Sequence, residues 1–209
     1  MKKHIIRTLA IVFSLYLIIV LNACQTSPAS TSMHRPAGGP EDVYYARQLW
    51  QALQEKQLVG EQTRTSKPFF GGAKPHGMIL EVMAQNLTLN KHTGFVIVKK
   101  NYNGEQVTVA NVERDRKRYL SSITVMYQRE TGYDPDNQNW FWVKYQPDGQ
   151  LFEKNTPTGH FLMAGKIMKG KTPEQNRGCI YCHRSAGGGD YIFYPHIHNP
   201  NTGRKNQTH

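Results

Sequence analysis

Gly94-Phe95-Val96-Ile97-Val98-Lys99-Lys100-Asn101-Tyr102 is the stretch on which the fold of this chain turns. Phe95–Tyr102 has strand length and is rich in β-branched and aromatic residues. On a strand, Phe95, Ile97 and Lys99 point one way, and Val96, Val98 and Lys100 the other. Both faces are apolar until the lysines begin, which predicts a strand covered on both sides. Either lysine then extends from a buried row, or both snorkel to water at a strand end.

The same texture recurs outward in both directions. Met78–Ala84, Gln106–Val112, Tyr119–Tyr127 and Asn139–Tyr145 read as further strands. Asn103-Gly104, Asp134-Pro135-Asp136-Asn137 and Pro147-Asp148-Gly149 are turn signals. Upstream, Val43, Ala46, Leu49, Trp50 and Leu53 recur at helical spacing. Glu41 and Asp42 follow Pro40 at the start, and Gly60 lies beyond the end. The expected class is α+β: mainly antiparallel β-sheet with an N-terminal helix and a short C-terminal helix.

That last helix carries Arg177-Gly178-Cys179-Ile180-Tyr181-Cys182-His183-Arg184, a C-x-x-C-H run that signals covalent haem attachment. Cys179 and Cys182 would bond the porphyrin vinyl groups, and His183 would reach the iron as its axial ligand. A redox dithiol wants a thioredoxin-like strand-to-helix context, which the flanks lack. A zinc site could borrow His160, His196 or His198, but there is no second cysteine pair. The expectation is one covalent haem c per chain. No methionine follows His183. Met163 or Met168 would have to reach over from upstream, so an open sixth position is expected.

Residues 1–23 read as a secretory signal: Lys2, Lys3 and Arg7, an apolar stretch from Leu9 to Val20, then Leu21-Asn22-Ala23 before Cys24. The Cys resembles that of a bacterial lipobox, making Cys24 the lipidated first residue; an uncleaved membrane anchor is the alternative. Gln25 after it favours, by resemblance to Gram-negative lipoproteins, the outer membrane facing the periplasm. The three cysteines are thereby used, with none left for a disulfide. Loss of Lys2, Lys3 and Arg7 from 26 basic residues leaves 23 against 15 acidic ones, a formal charge of +8. Such a surface suits anionic lipid or an acidic redox partner, and no nucleic-acid motif appears. Residues 24–40 read as a flexible tether, 41–198 as one haem domain and 199–209 as a disordered tail.

The order of motifs resembles the cytochrome P-460 and cytochrome c′-beta family. The matching runs are Lys74-Pro75-His76-Gly77, Gly94-Phe95-Val96-Ile97-Val98-Lys99, Asn139-Trp140-Phe141-Trp142, the C-x-x-C-H run and Asp190-Tyr191-Ile192-Phe193-Tyr194-Pro195. The resemblance implies a homodimer and a small-molecule ligand at the haem iron. It also implies one of two functions: oxidation of hydroxylamine, with electrons passed to an external acceptor, or non-catalytic binding of nitric oxide or carbon monoxide. Lys99 matches the lysine that cross-links to the porphyrin in P-460. Glu174 matches the carboxylate expected as general base, although a glutamate beside Pro173 also suits an ordinary helix start. Gas binding is expected instead if Phe161 or Phe141 fills the space over the iron. A plain electron carrier is the third reading. His76 reads as a buried hydrogen-bonding residue rather than a second ligand, and His196 and His198 as surface residues.

Overall fold

The computed structural model describes residues 37–71, 75–156, 159–166, 179–186, 190–193, 197 and 199–200. Cys24, Lys74, Met168, Glu174, His196 and His198 lie outside them, as do the expectations on the signal segment, on the tether as far as residue 36 and on the tail from 201.

Helix α1 spans Pro40–Glu55, with Pro40 in its first turn and Glu41 and Asp42 beside the positive helix end. Strands β1 (Phe69–Phe70), β2 (Ile79–Leu89) and β3 (His92–Tyr102) follow. β2 and β3 pair along their whole length, from Ile79↔Tyr102 to Leu89↔His92. Asn90 and Lys91 between them both have positive φ, at 50° and 66°. That is the primed two-residue turn whose twist matches the strands. β4 (Leu120–Gln128), β5 (Trp140–Tyr145) and β8 (Ala164–Gly165) complete a six-stranded antiparallel sheet in the order β1-β2-β3-β4-β5-β8. β6 (Glu153–Thr156) and β7 (Gly159–Leu162) form a separate hairpin. The class is α+β and mainly antiparallel, as expected.

One expected strand is not there. Gln106–Val112 runs instead into helix α2 (Val109–Arg114), followed by α3 (Arg116–Tyr119). Thr108 caps α2 by accepting from the Asn111 amide at 3.1 Å, which satisfies a donor that a helix start leaves orphaned. Val112 is fully buried against Ile79, Tyr102 and Tyr119. Tertiary packing thus outweighs the β preference of the three valines.

β3 is covered on both sides. On one face Val96 and Val98 meet Ala46, Leu49 and Leu53 of α1, and Tyr145 Oη donates to Ala46 O at 2.6 Å. On the other face Phe95 and Ile97, with Met126, Trp140 and Trp142, lie under Ile180 and Ile192 from the C-terminal segment. The lysines divide accordingly, and Lys100 does not snorkel. It is 2% exposed, donates to Thr63 Oγ1 at 2.8 Å and Arg64 O at 2.9 Å, and lies 3.9 Å from Glu81. Glu81, fully buried, also accepts from Tyr102 Oη at 2.6 Å and Arg116 Nε at 2.9 Å. Lys99 goes to the opposite face, where the C-terminal segment packs.

Candidate functional site

Cys179–His183 forms a five-residue helix, α4, held against the sheet by Ile180, which is 2% exposed among Phe95, Ile97, Met126, Trp140 and Trp142. Its cysteines are free thiols, Cys179 partly buried and Cys182 exposed. Burial pushes the Cys179 thiol up, while Lys99, Lys144 and Lys154 pull against that. Arg184 Nη2 donates to Asn137 Oδ1 at 2.6 Å and so ties α4 to the 3-10 turn Pro135–Asn137.

His183 is buried, and its Nδ1 lies 2.7 Å from the carbonyl oxygen of Tyr191. A carbonyl can only accept, so Nδ1 carries the hydrogen and Nε2 keeps its lone pair. Burial holds the His183 pKa below the usual histidine value; the Tyr191 bond opposes this and Lys99 adds to it. The ring is therefore neutral at pH 7 and competent as a ligand. Tyr191 aims its carbonyl from a left-handed conformation, φ 67°, costly for a bulky residue. Asp190 Oδ1 holds the bend by accepting from the Ile192 amide at 3.1 Å. Around His183 stand the rings of Trp142 at 5.1 Å, Phe193 at 5.4 Å and His76 at 6.2 Å, all edge-on.

The floor is a row of the sheet. Val82, Lys99, Thr124 and Lys144 are register partners across β2, β3, β4 and β5. Burial lowers the pKa of Lys99 from the ordinary lysine value, with the Cys179 and Cys182 thiols acting against the shift. The amine therefore lies within electrostatic reach of both cysteines. Lys144 shows the same lowering by burial, opposed by Cys179.

His76 enters on a turn pinned to β3. Gly77 N donates to Asn101 Oδ1 at 3.3 Å and Met78 N to Asn103 Oδ1 at 3.0 Å. A Cβ on Gly77 would lie 2.5 Å from Tyr102 N, so only glycine permits this approach. Burial, with Lys99 and His183 nearby, lowers the His76 pKa to about 4.

The structure thus brings Lys99, Cys179, Cys182 and His183 together; Glu174 and Cys24 are outside the described residues. Phe141 does not belong here: it is fully buried on the other face, under α1. The alternation along β5 puts Trp140 and Trp142 on this face and Phe141 on the other. Phe161 pairs with Lys154 in the β6–β7 hairpin. His160 is exposed, bonded to Asn155 at 2.6 Å. Among the described residues no three His, Cys, Asp or Glu side chains gather to hold a metal ion. Sequence reasoning missed Trp142 as a wall of the site, Lys144 and the Tyr191 carbonyl. The first two were readable from strand alternation; the carbonyl had no side-chain signal.

The donor set can hold a covalent haem. Two free thiols stand one helical turn apart beside a neutral imidazole whose other nitrogen is tied to a carbonyl. Trp140 Nε1, Trp142 Nε1 and His76 Nδ1 are buried and have no hydrogen-bond partner among the described residues. Such orphaned polar atoms on one face fit a group that the chain itself does not supply. No protein-family description, curated protein or solved structure matches the chain.

Proposed function

We propose that this chain is a mono-haem c-type cytochrome of the P-460 or c′-beta kind. Its open iron position takes small nitrogen species such as hydroxylamine or nitric oxide, and electrons leave to an external acceptor. In this reading the chain is a homodimer anchored through lipid on Cys24 at the outer membrane, facing the periplasm. The observation that carries the reading is the Nδ1–Tyr191 bond, which leaves Nε2 of His183 as a free ligand beside Cys179 and Cys182. A haem bound there would supply a redox-active iron with an exchangeable coordination position.

The rest is the work of the chain's own side chains. Cys179 and Cys182 fix the porphyrin through two thioethers, and His183 takes the iron. The Tyr191 carbonyl holds the imidazole in one orientation and raises its basicity. Ile97, Met126, Trp142 and Ile180 form an apolar wall that keeps water out. Lys99, its amine drawn below the ordinary lysine value by burial, stands where the resemblance puts a cross-link to the porphyrin edge. Glu174 is the proton acceptor in the oxidising reading. Non-catalytic gas binding has its own support: among the described residues the face that receives α4 is lined by Phe95, Ile97, Met126, Trp140 and Trp142, an apolar setting that suits an uncharged ligand.

The test is the absorption spectrum of the reduced holoprotein, made with haem-maturation machinery, beside Lys99→Ala. A red-shifted Soret band lost in the variant, together with turnover of hydroxylamine, supports the oxidase. A five-coordinate spectrum unchanged by the variant, with nitric oxide bound and no turnover, supports gas binding. A low-spin six-coordinate spectrum removes the open site and leaves the electron carrier.

A further inference from the structure

Lys99 and Lys144 occupy one row of the sheet with Thr124 on the strand between them. Two strand spacings put their backbones roughly 10 Å apart, with both side chains on the face that receives α4. Cys179 packs against the adjoining row, on the cluster that contains Ile97, Met126 and Trp142. Lys144 is held in place: its ammonium lies 4.5 Å from the centre of the Phe152 ring, a cation–π contact. Among the described residues no carboxylate forms an ion pair with it. The ion pairs among the described residues join Glu81 to Lys100 and Arg116, and Glu130 to Arg129.

Half-buried cations are ordinarily paired, because leaving water without a counter-charge costs free energy. Two amines with no carboxylate partner among the described residues, on one face and within reach of the thiol of Cys179, make a local field that favours electron density there. Two neighbouring lysines do not share this placement: Lys100 is spent on Glu81 across the sheet, and Lys154 is exposed on the hairpin.

We propose that Lys144 sets the reduction potential of the site, its fixed positive charge stabilising the reduced state of a haem attached through Cys179. This rests on the haem reading given above. The couple concerned takes one electron from, or gives one to, the external redox partner, and no proton or bond change at Lys144 is involved. Lys144 keeps its charge whether or not Lys99 is consumed in a cross-link, so it supplies the part of the field that a cross-link would not remove.

The experiment is a spectroelectrochemical titration of the full-length holoprotein and of Lys144→Gln, Lys144→Met and Lys144→Arg. Covalent haem is quantified in each by the pyridine haemochrome spectrum. The two neutral variants are expected to lower the ferrous-to-ferric ratio at a given applied potential about ten-fold, ~59 mV for a one-electron couple. The arginine variant, which keeps the charge, is expected to match the parent. A parent-like potential in both neutral variants overturns the proposal. So does an arginine variant that falls as far as the neutral ones, since packing rather than charge would then be responsible. A parent chain that carries no covalent haem overturns the underlying reading instead, a result distinct from a haem-loaded protein indifferent to residue 144.

Discussion

Tyr191 contributes to the site through its backbone rather than its ring. Its left-handed φ turns the carbonyl toward His183, and Asp190 holds that bend through the Ile192 amide. Asp190→Ala is expected to cost about 1 kcal/mol in urea unfolding, the usual net worth of one hydrogen bond. With the bend loosened, His183 is expected to populate both tautomers in nitrogen-resolved NMR of the haem-free chain. A single unchanged tautomer would show that the carbonyl is held by something else. Gly77 is the second such residue. Gly77→Ala puts a methyl 2.5 Å from Tyr102 N and 2.7 Å from Tyr102 O, backbone atoms at the end of β3 that are paired with both neighbouring strands and cannot move aside cheaply. A loss of about 1–3 kcal/mol is expected, and a variant as stable as the parent would mean the turn carrying His76 is not pinned.

At the scale of elements, α4 is too short to be stable alone and owes its place to Ile180. Ile180→Ala is expected to destabilise the haem-free protein by about 2–5 kcal/mol, the range for emptying a buried aliphatic site. Trp142 fluorescence should report the change, because that ring lines the same pocket. The α2 segment offers a sharper test. Its three valines read as strand, yet Thr108 caps a helix. Thr108→Ala is expected to cost about 1 kcal/mol and to speed amide exchange at Asn111, whose hydrogen-bond acceptor it removes. A strand would not respond in that way. The β2–β3 hairpin shows the same limit on sequence reading. Asn90-Lys91 takes up positive φ at both positions, but lysine is an unusual occupant, so the turn and the full strand lengths were not legible until the pairing was known.

Across the whole molecule, the sheet separates two kinds of buried charge. On the α1 face Lys100 is surrounded by Glu81, the Thr63 hydroxyl and the Arg64 carbonyl, with Tyr102 donating to the same Glu81. Burial lowers its pKa to about 8, with Glu81 acting against the shift. A lysine whose folded value lies below its unfolded one binds more protons when unfolded, so its burden on stability lifts as pH rises from about 8 toward 10.5. Tyr45, Tyr102, Tyr133 and Tyr145 have the opposite sign. Burial raises each of them, and stability is lost above the ordinary tyrosine value near 10. The thermal midpoint is therefore expected to climb between pH 8 and about 10 and then fall. Lys100→Met is expected to flatten the climb. An equal slope in parent and variant would assign it to other groups.

What the sequence determined by itself was local. The Cys179–His183 spacing is covalent arithmetic along a few bonds, and the alternation from Phe95 to Lys100 assigns each side chain to a face before any partner is known. Both need only the geometry of one element, and so the mainly antiparallel α+β class was legible and Lys99, Cys179, Cys182 and His183 stood out as candidates. The tertiary structure decided what each face touches. Lys99 and Lys100 are chemically alike and adjacent, but strand register gives one to the thiols and the other to Glu81. Register likewise put Lys144 in the row of Lys99, and the packing of the C-terminal segment set the Tyr191 carbonyl against His183. These outcomes depend on contacts between segments far apart in the chain, whose energies come from burial and shape. Composition and spacing within a single segment do not encode them.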